Sequence, residues 1–152
     1  VYEAELGIVI GKRGRDIPLA EAAHYIFGYT CVNDVTAVEL LRSDASFEQW
    51  TRAKNFDGFT PFGPWIETEL DCSKTIVTAK VNGRERQNYA VSDMFFSPQE
   101  LVAKLSRGMT LEAGDMISCG TSLGAMPWQN DAVVEVAIEG IGTLTNTMKE
   151  SA

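Results

Sequence analysis

Apolar and polar residues along most of this chain follow the two-residue period of β-strands. Val1 to Gly11 reads as one strand carrying two carboxylates, Glu3 and Glu5, and Tyr25 to Asp34 as a second strand ending on a third acid. Thr75 to Val81 alternates β-branched and polar residues, and Asn82-Gly83 then supplies the left-handed turn of a tight hairpin before a strand from Arg86 to Val91. Met116 to Cys119, Ala132 to Glu139 and Thr143 to Thr147 read as further strands.

Helical signals are fewer. Pro18 to His24 has the character of a helix start, with Asp16 as a nearby cap, and Val35 to Trp50 is helix-prone. Ser97-Pro98-Gln99-Glu100 carries a complete capping box with proline at the first helical position, and predicts a helix to about Arg107 that Gly108 ends. Asn55 to Trp65, dense in Gly, Pro and aromatic residues, predicts an ordered loop. No βαβ rhythm, repeat or low-complexity tract is present. The fold class expected is α+β, mainly β, with mixed or antiparallel sheets and a few short helices.

Composition narrows the function. A chain of 152 residues with 45% hydrophobic and 22% charged residues is one globular core's worth, so a single domain over 1–152 is expected. The net charge of -8 leaves no basic stripe for nucleic acid and disfavours an anionic membrane surface. No apolar run is long enough to span a bilayer. The three scattered cysteines, Cys31, Cys72 and Cys119, fit reduced thiols and a cytoplasmic setting better than a disulfide framework or a zinc site. The chain opens on Val directly in strand-like sequence, so upstream residues are expected to be missing.

Glu3 and Glu5, two apart on a strand, project from the same side about 7 Å apart. Like charges so placed repel unless a cation sits between them. With Asp34 they would make an oxygen-only site of the kind that Mg²⁺, Mn²⁺ or Ca²⁺ prefers, although Glu-x-Glu alone is more often a solvated strand edge. Gly120-Thr121-Ser122-Leu123-Gly124 matches the nucleophile elbow of α/β-hydrolases. That reading fails: Met126-Pro127-Trp128 follows in place of a helix, and the sole histidine, His24, precedes the serine rather than following it. His24 on a short helix reads as a packing or surface residue, and no nucleophile is assigned. The Gly120–Gly124 loop offers instead backbone N–H groups, and a Thr121 hydroxyl, that could hold a carboxylate or enolate oxygen.

Six segments taken in order resemble the fumarylacetoacetate hydrolase (acylpyruvate hydrolase) family over nearly the whole chain. They are Tyr2–Leu6 with Ile10-Gly11, Gly28–Ala37, Lys54–Phe59 with Gly63-Pro64-Trp65, Gly108–Asp115, Cys119–Gly124 and Glu139–Asn146. The resemblance implies a β-roll-like core, commonly a homodimer, with one divalent cation, Mg²⁺ first. The family's ligands fall on Glu3, Glu5 and Asp34, its lysine on Lys54 and its substrate-orienting Gly-Thr pair on Gly120 and Thr121. The implied substrate is a small 2-oxo or diketo acid, chelated through its carboxylate and keto oxygens, with the metal as Lewis acid for an enolate. Hydrolytic C–C cleavage of an acylpyruvate-like acid is the first expectation. Decarboxylation, isomerisation and hydration are alternatives, as is a non-catalytic metal-binding homologue. One departure bears on specificity: where family members often carry Ala-Arg-Asp-x-Gln, with Arg and Gln touching the substrate, this chain has Ala37-Val38-Glu39-Leu40-Leu41. Nor is the lid histidine of the hydrolytic members visible.

Overall fold

The structure, a computed structural model, describes residues 1–149. Its strands are β1 (Ala4–Ile10), β2 (Gly14–Arg15), β3 (Ile26–Asn33), β4 (Phe62–Glu67), β5 (Ile76–Val81), β6 (Arg84–Ala90), β7 (Thr110–Leu111), β8 (Met116–Ser118), β9 (Val133–Ile138) and β10 (Gly142–Thr147). The helices are α1 (Val38–Leu41), α2 (Trp50–Ala53) and α3 (Pro98–Leu105). One four-stranded sheet has the order β4-β3-β1-β8, a second β10-β9-β5-β6, and β2 pairs with β7. Every strand pair among the described residues is antiparallel. The mainly β, α+β architecture expected from the sequence is therefore the one observed.

The two large sheets bury one face of each against the other. Ala4, Leu6, Ile8 and Ile10 of β1 share a single core with Val77 and Ala79 of β5 and Val134, Val136 and Ile138 of β9. Side-chain alternation then turns Glu5, Gly7 and Val9 to the opposite face of β1. β1 is an interior strand, paired on both sides, and all seven of its residues are buried. Glu5 thus lies where an isolated carboxylate is costly, and not on a solvated edge.

Local chemistry explains where the elements start and stop. Asn82 and Gly83 both take positive φ (49° and 75°) in the β5–β6 hairpin, as a two-residue turn of that type requires. The Ser97–Glu100 capping box forms in both directions, with Glu100 N–H donating to Ser97 Oγ and Ser97 N–H to Glu100 Oε2.

Three expectations need correction. Only the first part of the Asn55–Trp65 segment is loop; Phe62 to Glu67 pairs with β3, and Pro64 is accommodated because β4 is an edge strand. Val35 to Trp50 is not one helix. Between the single turns α1 and α2, Ser43 Oγ donates to Leu40 O and Asp44 Oδ1 accepts from Ser46 N–H, local bonds that replace the helical ladder. Pro18 to His24 leads into a 3₁₀ helix, Leu19–Tyr25, without a side-chain cap; Asp16 instead accepts from the Gly108 N–H.

Gly124 closes the glycine-rich loop at φ 101°, where an added Cβ would collide with the Arg86 carbonyl. Gly124→Ala is expected to cost about 1–3 kcal/mol. A urea midpoint equal to that of the parent would contradict this packing.

Candidate metal centre

Three acids separated by up to 31 positions meet at one end of the β1–β3 pair. The register that sets Ala4 opposite Asn33 and Glu5 opposite Val32 brings Glu3 and Asp34 together where the strands finish. Asn33 ties the corner by accepting the Glu3 N–H on Oδ1 at 3.1 Å, and Asp34 N–H donates to Glu3 O at 2.9 Å. One carboxylate oxygen from each of Glu3, Glu5 and Asp34 lies within 4.8 Å of the others. Glu5 is 3% exposed and Asp34 9%.

Lys54, the residue immediately after α2, reaches into the cluster. Its ammonium donates to Glu3 Oε2 at 2.9 Å, to Asp34 Oδ2 at close range and to Thr36 Oγ1 at 3.0 Å. Burial is the largest single influence on Lys54 and lowers its pKa. The hydrogen bonds and charges of Asp34 and Glu3 together outweigh it, and the net direction is upward. Lys54 is therefore held as a cation.

Glu5 is the acid that this lysine does not touch. Burial pushes its carboxyl up to about 7, reinforced by the charges of Asp34 and Glu3. The Gly120 N–H, donated to Glu5 Oε2 at 2.8 Å, acts in the opposite direction. So the glycine-rich loop does offer backbone N–H to a carboxylate, and that carboxylate belongs to Glu5. The Thr121 hydroxyl donates to Ala4 O at 2.9 Å and accepts from Gln87 Nε2 at 2.8 Å. Its proton is therefore spent within the protein.

Gln87, Asn33 and Thr36 carry no separate role in the sequence-based reading. Gln87 is 1% exposed and clamps the site's two halves. Its Oε1 accepts the N–H of Ala4, the residue between the two glutamates, while Nε2 donates to Thr121 Oγ1 and Ser122 O. Among Arg84-Glu85-Arg86-Gln87-Asn88 nothing distinguishes it except strand alternation, which puts one polar residue of the run inward. His24, exposed, sits at the other end of β3 from Asp34, about 25 Å of extended chain away.

Three hard oxygen donors at this spacing suit a divalent cation such as Mg²⁺. They carry three formal negative charges against one from Lys54, and each carboxylate has a second oxygen to offer. A cleft of about 280 Å³ opens beside Thr36 and is walled by Val38, Phe59 and Trp128. A larger one, about 530 Å³, runs from Tyr29 past Cys72 to Glu100, and none of the three acids lines it. None of the acids lines the smaller cleft either, so the acids themselves, with Lys54, define the candidate site.

Residues 1–149 match the model of the fumarylacetoacetate hydrolase C-terminal domain. The structure of a 5-carboxymethyl-2-hydroxymuconate delta-isomerase from Mycobacterium smegmatis superposes with TM-score 0.95 at 44% identity, covering 99% of this chain and 59% of that one. A fumarylacetoacetate hydrolase from the psychrophile Exiguobacterium antarcticum gives 0.92 at 41% identity, covering 99% and 56%. An oxaloacetate tautomerase of Bacillus subtilis strain 168 is 39% identical over 155 residues, covering 95% of this chain and 50% of the relative. The chain spans little more than half the length of the curated relatives it matches.

Removing a ligand should remove the cation. Glu3→Ala and Asp34→Ala are each expected to abolish the heat of Mg²⁺ binding by calorimetry, and a titration like the parent's would sink the ligand assignment. Metal-free stability should depend on pH through Glu5. Its folded pKa of about 7 stands above an unfolded value of 4.5, so the folded state binds the extra proton between them. Stability is then highest below about 4.5 and falls by a few kcal/mol as pH rises towards 7. Saturating Mg²⁺ should flatten this fall and Glu5→Gln remove it; thermal melts across that range with identical slopes in parent and variant would refute it.

Proposed function

The chain belongs to the fumarylacetoacetate hydrolase family, and from that premise we propose that it is a divalent-cation-dependent enzyme of 2-oxo acids whose central step is enolate formation. The observation that carries this reading is the Glu3–Glu5–Asp34 cluster with Lys54 hydrogen-bonded into it. A cation held there, Mg²⁺ in this proposal, supplies Lewis-acid polarisation to a bound keto acid.

The protein's own groups divide the remaining work. Glu3, Glu5 and Asp34 supply hard oxygens from strand ends fixed by the β1–β3 register. Lys54 carries positive charge to the place where an oxyanion would develop, with Thr36 holding its ammonium from the other side. Gly120 orients Glu5, and the Thr121 backbone N–H, next in the loop, is assigned to the substrate carboxylate. Gln87 keeps loop and strand in register with each other.

Tautomerisation or isomerisation asks least of the site: it needs a group that takes and returns the proton at the substrate's α-carbon, but no activated water. The named isomerase and tautomerase relatives support it. Hydrolytic C–C cleavage of an acylpyruvate, the first expectation from the sequence, is the second reading, supported by the fumarylacetoacetate hydrolase relative. It requires in addition a base for water. Among the described residues hydrogen-bonded to the cluster none is an imidazole, and Lys54 is protonated.

The distinguishing experiment is NMR in D₂O with Mg²⁺. Deuterium incorporated at C3 of a simple 2-oxo acid is expected for enolisation, and pyruvate with acetate from acetylpyruvate for hydrolysis. Neither signal, with Mg²⁺ bound, would leave a non-catalytic metal-binding module. Lys54→Met should lower the observed rate by roughly two to four orders of magnitude. A rate equal to the parent's would remove Lys54 from the chemistry.

A further inference from the structure

We propose that the protein carries a second binding site, separate from the acid cluster, for a small planar carboxylate. It is a cleft of about 310 Å³ beside the β5–β6 turn, lined by Asn82, Arg84, Arg86, Pro127 and Trp128 among others. None of Glu3, Glu5, Asp34 or Lys54 lines it, so the inference stands apart from the metal reading above.

Strand geometry brings both arginines to this cleft. Along β6, Glu85 pairs with Lys80 and Gln87 with Ala79, which leaves Arg86 as the extra residue of a β-bulge. A bulge bends its strand and re-aims the side chains beside it. Gln87 turns into the protein, onto Ala4 and Thr121, while Arg84 and Arg86 both line the cleft. Glu85, between them in sequence, does not line it.

The charge of the cleft runs against that of the chain. The protein has 21 acidic residues to 13 basic ones, yet the only charged side chains lining this cleft among the described residues are the two arginines. Neither guanidinium forms an ion pair or a hydrogen bond with another described residue. The polar groups around them are donors as well. Asn82 accepts the Val133 N–H on Oδ1 at 2.9 Å, which leaves its Nδ2 to donate. The Trp128 indole N–H has no acceptor among the described residues. Two like charges sharing one small cleft, with donors beside them and no counter-ion, call for an anion.

The walls define the shape of that anion. A guanidinium fork matches the two oxygens of a carboxylate. Trp128 and Pro127 offer flat apolar surface against which a ring or a conjugated chain can lie. A volume of about 310 Å³ is at the lower end for small-molecule sites and suits a one-ring acid.

The test is an NMR titration of metal-free protein in low-salt Tris buffer, following the Trp128 indole N–H, assigned by its loss in Trp128→Phe. Benzoate is the probe, benzamide its uncharged counterpart, and acetate the carboxylate without the ring. Benzoate is expected to shift the resonance saturably, binding about tenfold tighter than benzamide and about fivefold tighter than acetate. The double variant Arg84→Gln/Arg86→Gln should weaken benzoate by about tenfold or more with an unchanged melting temperature, both side chains being exposed. Arg84→Lys/Arg86→Lys, which keeps the charge and loses the fork, should fall between. A resonance that benzoate does not move, or a double glutamine variant that titrates like the parent, would overturn the site. Benzamide or acetate binding as tightly as benzoate would overturn the assignment to a planar carboxylate.

Discussion

Three carboxylates drawn into one partly buried corner are the constraint to which the rest of this structure answers. Gathering them costs Coulomb repulsion and hydration, and a folded chain tolerates the arrangement only by returning opposite charge to it. Lys54 returns one positive charge and spends it on Glu3 and Asp34. Glu5, deeper and without a hydrogen bond from the lysine, is helped mainly by the Gly120 N–H and less by the Lys54 charge, and burial moves its carboxyl up to about 7. The protein's own groups therefore leave the cluster short of positive charge. A divalent cation would supply what is missing, which would tie affinity for the metal to the repulsion already built into the fold.

Such a cluster holds its shape only if the backbone beneath it is rigid. The acids stand on the β1–β3 strand pair, where seven consecutive residues of β1 are buried and paired with β3, and Gly7 to Val9 pair with β8 on the other side. Asn33, Gln87 and Tyr89 then fasten the strand end to its surroundings. Tyr89 Oη donates to Ala4 O at 2.9 Å, the same carbonyl that Thr121 Oγ1 uses. Each of these polar groups satisfies a backbone atom that burial would otherwise strand, so the network that fixes ligand geometry is the one that makes the buried strand end affordable.

The three acids are legible as candidates because Glu-x-Glu fixes a common strand face by period alone, whereas Lys54, at the end of α2, enters only through the family resemblance. Capping box and hairpin are legible for a related reason: each depends on neighbours within a few residues. What escapes depends on distant partners. Phe62 to Glu67 becomes a strand because β3 offers it an edge, against the local signal of Gly63-Pro64. Val35 to Trp50 breaks because Ser43 and Asp44 bond locally and the tertiary structure offers no compensating helix face. Gln87 is an ordinary strand polar residue until β6 is laid beside β1 and the glycine-rich loop.

The acids answer to electrostatics before they answer to any one reaction. Three carboxylates gathered in one corner need opposite charge beside them, and Lys54 supplies part of it through Glu3 and Asp34. Relatives named for isomerisation, tautomerisation and hydrolysis share this fold, so the fold by itself does not choose among those reactions.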